Sequence, residues 1–291
     1  MIHVKRVAGQ APLSVLKIAS AWQASPIAES LSRHTDSGGE FEKELRGDMP
    51  LLRIPTESGA ILYDPSRIDH PRGEDFEPEA AAAAGRVAGG ATGRGSVWFV
   101  RARDRTGAWV LRHYHRGGLV ARVLADRYLW CGETATRPFR ELALLAEIEA
   151  LGLPAVRPVA ARYVRAGGLY RADLLTVAFE DVGTLAGLVA KAPATAPWRA
   201  VGATLRAFHD AGIWHADLNA HNVLVDGAGG VSLVDFDRGR RRAPGAWARG
   251  NLARLRRSLE KLARAAAMPF DESWWAALEA GYETPRSAPP R

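Results

Sequence analysis

The chain has 291 residues, 47% hydrophobic and 24% charged, which excludes a wholly disordered or collagen-like protein. No stretch reaches the ~20 uncharged apolar residues of a membrane-crossing helix, and the single cysteine, Cys131, excludes an internal disulfide or a cysteine-based zinc site and fits a reducing compartment. The net charge of +7 is local: residues 238–264 hold ten Arg/Lys and one acid, Glu260, while the remainder sums to −2, so the patch predicts a polyanionic partner such as a phosphorylated substrate, an anionic lipid surface or nucleic acid.

Residues 1–50 read as a disordered or loosely helical N-terminal extension. Gln10 and Lys17 interrupt the apolar part that a secretory signal would need. Residues 51–84 look irregular and end in a short helix over Ala80–Ala84. The Gly-rich run from Gly85 to Gly95 sits at a strand boundary. Val97–Val100 and Trp109–Arg112 then form a β-hairpin around the turn signal Asp104-Arg-Thr-Gly107. Pro138 opens a helix with an apolar face of Leu142, Leu145 and Ile148, closed by Gly152 and Pro154. Val156–Tyr163 and Leu174–Phe179 are two more strands.

After the connector Glu180–Gly183 the pattern turns helical, over 184–191 and 197–211. Ile213–Val225 is strand and loop, and Val231–Asp235 is a strand. Residues 251–266 form a helix with Asn251 as its N-cap, and Trp274 and Trp275 begin the last one. The tail 285–291 reads as frayed. The expected fold class is α+β, with a small antiparallel sheet lobe over 51–180 and a mainly helical lobe over 181–284.

The chemistry concentrates in Trp214–Asp237. His215-x-Asp217 is followed by Asn222, five residues after the aspartate, and by Asp235, 18 residues after it at the end of an apolar strand. This spacing resembles the catalytic loop and metal-binding Asp-Phe element of protein kinases. Phosphoryl transfer needs a carboxylate to accept a hydroxyl proton, a role for Asp217. It also needs hard oxygen ligands for Mg²⁺ between ATP phosphates, a role for Asn222 and Asp235. The resemblance implies a bilobal protein-kinase-like fold. Gly93 and Gly95 then help cover the phosphates. Arg112 stands where kinases carry a phosphate-pairing lysine, oriented by Glu141, with Glu147 as the second choice, and adenine meets the connector near Glu180. Asp237 replaces the usual glycine of Asp-Phe-Gly, as a second metal ligand or a partner of Arg238. No long activation segment follows.

A closer resemblance rests on Leu111-Arg-His-Tyr-His-Arg-Gly-Gly118, Asp126-Arg-Tyr128, His215-Ala-Asp-Leu-Asn-Ala-His-Asn222, Asp235-Phe-Asp-Arg-Gly239 and Asn251–Leu259. Together these resemble the 3-deoxy-D-manno-octulosonic acid (Kdo) kinase family over roughly residues 60–283. The resemblance implies ATP- and Mg²⁺-dependent phosphorylation of the 4-hydroxyl of Kdo on a lipid A precursor, in lipopolysaccharide inner-core assembly. It implies a cytoplasmic enzyme peripheral to the anionic inner-membrane surface, with no nucleic-acid partner. Arg238, Arg240, Arg241 and Arg249 are the expected acceptor-binding residues, and the run from Arg112 to Gly118 also faces the acceptor or is a plain strand end. Two other kinase readings stay open at this point. An aminoglycoside or sugar phosphotransferase would share the motifs, although a cationic substrate disagrees with the basic patch. An atypical protein kinase is the other. A nonenzymatic pseudokinase finds support only in Arg112.

Overall fold

The computed structural model describes residues 51–92, 96–103, 107–115, 126–191 and 193–284. The expected N-terminal extension, Gly93, Gly95, residues 116–118 and the tail 285–291 lie outside these residues.

The first half of the described chain builds one antiparallel sheet. Its strands are β1 (Leu52–Thr56), β2 (Gly59–Tyr63), β3 (Val87–Thr92), β4 (Ser96–Arg101), β5 (Ala108–His113), β6 (Tyr128–Leu129), β7 (Pro158–Ala166) and β8 (Leu169–Val177). The strands run in the order β1-β2-β7-β8-β5-β4-β3, with β6 on β8. Two helices accompany them, α1 (Pro78–Ala83) and α2 (Arg137–Ala150). Residues 52–63, expected to be irregular, instead form a hairpin. Its alternation is hidden because β2 is buried along nearly its whole length rather than on one face. Within the Gly-rich run, Val87–Thr92 is itself a strand, β3, paired with β4.

The second half is β9 (Val182–Thr184), α3 (Leu185–Lys191), α4 (Trp198–Asp210), β10 (Ile213–Trp214), β11 (Val223–Asp226), β12 (Val231–Leu233), β13 (Arg240–Arg241), α5 (Trp247–Ala265) and α6 (Glu272–Glu283). The connector therefore enters a three-stranded sheet, β12-β11-β9. Two short β pairs carry the motif residues: β11 against β12, and β10 against β13. The expectation of an α+β chain with a sheet layer and a helical layer is borne out.

The two layers share one apolar core. Leu62 and Ala161 of the sheet, Phe139 and Leu145 of α2, Leu205 of α4, Phe236, Leu255 of α5 and Leu278 of α6 belong to a single buried cluster. A second cluster, including Ile61, Phe76, Trp109 and Leu111, covers the outer face of the sheet. Odd and even positions of β5 consequently face different environments. In the helical layer, α4 and α6 meet through glycines. A Cβ at Gly202 would lie 1.9 Å from the Leu278 carbonyl oxygen, and one at Gly281 would lie 2.0 Å from that of Arg199. Backbone-to-backbone contact of this kind leaves no room for a side chain.

His209 is buried where α4, α5 and α6 meet. Its Nδ1 lies 2.8 Å from the Tyr282 hydroxyl, and its ring meets the Trp247 ring edge-on at 5.1 Å. Burial pushes the imidazole down to about 4, against the opposing pull of Asn251 and Asp210. The unfolded chain takes up this proton near pH ~6.5, whereas the fold resists it down to about 4. Stability from this site is therefore complete above pH ~6.5 and is lost as pH falls through that window. Thermal melts between pH 7.5 and 4.5 will show the wild-type midpoint falling with acid, and His209→Gln will flatten the dependence.

Candidate active site

Asp217 and Asn222 sit on the loop between β10 and β11. Its shape is set by internal hydrogen bonds. The Asp217 backbone N–H donates to His215 Nδ1 at 3.1 Å, which assigns the imidazole proton to Nε2, and Nε2 donates to the Val234 carbonyl at 3.0 Å. Burial lowers the His215 pKa, in keeping with this neutral tautomer. The histidine thus ties the loop to the strand that delivers Asp235. Asn222 Nδ2 donates to the Asp217 carbonyl at 2.9 Å, and Asn219 Nδ2 donates to Asp217 Oδ2 at 3.2 Å. These bonds leave the Asp217 side chain outward, 60% exposed.

Register brings the two candidate metal ligands together. Val223 pairs with Leu233 across the β11–β12 hairpin, and the Val234 N–H donates to the Asn222 carbonyl at 3.1 Å. Asp235 follows with φ of +64°. A left-handed conformation is uncommon for a residue other than glycine, and aspartate is among the few that tolerate it. The turn departs from the strand direction, and the carboxylate, 42% exposed, meets Arg112. Phe236 is fully buried, stacked on Phe208 and packed against the His215 ring.

Arg112 comes from β5, and its guanidinium joins three elements. It pairs with Asp235, with Glu141 of α2, and at 3.1 Å with the Tyr114 hydroxyl. Tyr114 donates to the same Glu141 oxygen at 2.5 Å. Burial disfavours the guanidinium charge, but Glu141, Tyr114 and Asp235 outweigh it and hold the Arg112 pKa above its ordinary value. The preferred partner Glu141 is thus the one the structure joins to Arg112, while Glu147 pairs with Arg241 at 2.8 Å. Tyr114 was not distinguished in the sequence from its neighbours in the Arg112–Gly118 run. Strand alternation is the signal that singles it out, since Tyr114 shares a face with Arg112.

The same alternation sends His113 and His115 to the outer face, where with Trp98 and Arg162 they line a cavity of about 500 Å³. His113 Nδ1 lies 2.5 Å from Asp173 there. These two histidines are on the opposite side of the sheet from Asp235.

Asp237 is held by Arg137, at the start of α2, through both carboxylate oxygens. Arg137 also lies over the Tyr128 and Tyr114 rings, at 4.7 and 5.4 Å. The expected partner Arg238 is instead exposed, with φ of +60°. Arg137 and Glu141 are one helical turn apart, so α2 grips the Asp235–Asp237 segment twice, once directly and once through Arg112.

Asn251 is not an N-cap. The helix begins at Trp247, and Asn251 lies buried inside it. Its Nδ2 donates to the His215 carbonyl at 2.8 Å, and its Oδ1 accepts the His215 N–H at 3.3 Å. Arg240 and Arg242 lie over the Trp214 ring at 5.1 and 5.2 Å, and Arg241 also donates to the Ala211 carbonyl at 3.2 Å. Arg249 and Glu180 are exposed. Among the described residues no cluster of three His, Cys, Asp or Glu side chains forms a metal cage. Asn222 and Asp235 offer the amide and carboxylate oxygens that a hard cation takes, although Arg112 already meets one Asp235 oxygen.

Lysine at position 112 keeps the charge but has no planar fork to reach Glu141 and Asp235 together. Arg112→Lys should therefore cost about 1–3 kcal/mol of stability, the scale of one charge-assisted hydrogen bond, read as a lower melting temperature. Asp237→Asn should lower the melting temperature by weakening the pair with Arg137; an unchanged thermal midpoint would show that this pair does not brace the segment.

Residues 79–282 match the model of the lipopolysaccharide kinase (Kdo/WaaP) family. A protein of Stenotrophomonas maltophilia named 3-deoxy-D-manno-octulosonic acid kinase is 47% identical over 205 residues, covering 70% of this chain and 81% of its own. A protein of the same name from Xanthomonas euvesicatoria is 45% identical over 226 residues, covering 77% and 90%. Among solved structures, WaaP in complex with acyl carrier protein aligns with 72% of this chain and 81% of its own, at 15% identity and a TM-score of 0.46. The loop, the Asp-Phe-Asp segment and the Arg112–Glu141 pair all fall within the matched residues, and the chain belongs to the lipopolysaccharide kinase (Kdo/WaaP) family.

Proposed function

We propose that this protein is a kinase that transfers phosphate from ATP to the 4-hydroxyl of a Kdo residue on a lipid A precursor. The observation that carries the reading is the convergence of Asp217, Asn222 and Asp235 on one loop-and-hairpin unit, with Arg112 reaching Asp235 from the sheet. Together with the 44–47% identity to several proteins named Kdo kinase, this favours the acid sugar as acceptor.

Each residue has a distinct task. Asp217, outward and held by Asn219, orients the sugar hydroxyl and accepts its proton. Asn222 and Asp235 would hold Mg²⁺, which when bound neutralises phosphate charge. Arg112, oriented by Glu141 and Tyr114, would hold the nucleotide phosphates. The Glu180–Gly183 connector would meet adenine, and Gly93 and Gly95 would cover the phosphates. Arg238 and Arg249 are exposed and suit an anionic acceptor, while Arg240 packs over Trp214 and Arg241 pairs with Glu147. Catalysis is then mainly positioning and charge neutralisation.

No helix among the described residues is long and apolar enough to cross a membrane. The exposed cations of residues 238–264 support a peripheral placement on the cytoplasmic face of the inner membrane. A basic residue near an anionic surface contributes ~1 kcal/mol.

The test is transfer of γ-labelled phosphate from Mg·ATP to Kdo-lipid IVA, beside a neutral sugar and an aminoglycoside. Label is expected on the Kdo lipid alone. Asp217→Ala should lower the rate by about 10²-fold or more with an unchanged circular-dichroism spectrum. Near-wild-type activity in that variant would remove Asp217 from the mechanism, and label on the aminoglycoside would redirect the acceptor assignment.

A further inference from the structure

Helix α5 lies along the catalytic loop through three residues at i, i+3 and i+7. Asn251 brackets the His215 backbone, Arg254 Nη1 lies 3.2 Å from Asp217 Oδ1, and Ser258 Oγ accepts the Ala220 N–H at 3.2 Å. Arg254 is therefore placed between two anchored points, one turn from each. It sits at the border between the docked and solvent-facing sides of the helix, 49% exposed. A guanidinium has five N–H donors in a fixed fork, and the described contact with Asp217 engages one of its nitrogens.

The cations on α5 that follow Arg254 divide into two sets. Arg256 is structural: it pairs with Glu260 at 3.0 Å and Glu272 at 2.6 Å and lies over the Phe270 and Trp275 rings. Arg257, Lys261 and Arg264 are exposed and make no ion pair with the described residues. At 100° per residue, Arg254, Arg257, Lys261 and Arg264 fall within one stripe, and ten residues of helix extend about 15 Å. A cationic row that is paired only where Arg254 meets Asp217, and that leads away from this carboxylate, matches an acceptor with more than one anionic group.

We propose that Arg254 binds the carboxylate of the acceptor sugar beside the hydroxyl that Asp217 addresses, and that Arg257, Lys261 and Arg264 bind phosphates farther along the same acceptor. This rests on the Kdo-kinase reading and moves acceptor recognition from Arg238, Arg240, Arg241 and Arg249 to the row from Arg254 to Arg264 on α5. Phosphates of bilayer headgroups would suit the outer three cations equally well, but the row's origin at Asp217 assigns them to the acceptor.

The experiment compares wild type, Arg254→Ala, Arg254→Lys and the triple variant Arg257→Ser/Lys261→Ser/Arg264→Ser. The acceptors, in neutral detergent micelles without other phospholipid, are Kdo-lipid IVA, its Kdo methyl ester and its dephosphorylated form. Arg254→Ala should raise the acceptor KM about tenfold or more, the scale of one charge-assisted hydrogen bond. The ATP KM should stay unchanged, and the variant should no longer distinguish acid from ester. Arg254→Lys should recover part of the acid preference. The triple variant should raise the KM for the phosphorylated acceptor only and weaken its salt dependence. A wild type that prefers acid over ester while Arg254→Ala keeps that preference overturns the carboxylate assignment. A triple variant that matches wild type on micelles, and differs only when anionic vesicles are added, assigns the outer row to the membrane and overturns that half. Phosphate transfer by wild type to a neutral sugar, with none to Kdo-lipid IVA, fails the Kdo-kinase reading itself and overturns the proposal with it.

Discussion

A partly buried guanidinium is tolerable only when carboxylates and hydroxyls replace its water, and Arg112 is solvated by the protein in this way from three directions. Glu141 reaches it from α2, Tyr114 from its own strand face and Asp235 from the hairpin below. Each partner belongs to a different part of the chain. The sheet, the helix behind it and the Asp-Phe-Asp segment are therefore registered against one another at a single charge. A lysine has the charge without the planar fork, so the substitution of arginine here is matched to the geometry around it.

Around that point the structure is braced rather than hinged. Arg137 holds Asp237 from the same helix that supplies Glu141, and the apolar core runs without a break from the sheet through α2 to α4 and α6. In the lower half, His215 joins the catalytic loop to Val234 through a neutral imidazole, and Asn251 clamps the His215 backbone from α5. Asp217 owes its position to these buried bonds while its own side chain stays largely exposed. The candidate site thus combines fixed supports with an exposed carboxylate, an arrangement that suits positional catalysis.

Basic charge in residues 238–264 serves several purposes. Arg240 and Arg242 cover Trp214, Arg241 reaches Glu147 of α2, and Arg256 knits α5 to α6. Removing these from the count leaves Arg238, Arg249 and the row from Arg254 to Arg264 facing outward. An arginine that stacks on tryptophan and one that waits for a phosphate have the same letter and the same charge. Only their neighbours distinguish them.

The sequence by itself determined the α+β class and most helices and singled out Asp217, Asn222, Asp235, Arg112 and Glu141 as candidates, because those depend on local periodicity and on the spacing of chemically restricted residue types. It did not disclose the β1–β2 hairpin, whose second strand is buried too completely to alternate. Nor did it reveal Asn251, which looked like a cap because caps and interior clamps use the same amide. Arg137 and Arg254 were decided by tertiary structure alone. Arg137 finds Asp237 a hundred positions away, and Arg254 finds Asp217 across 37. Such pairs form because the strands and helices that carry them are packed by the common core, and no local pattern in the chain encodes which cation will meet which carboxylate.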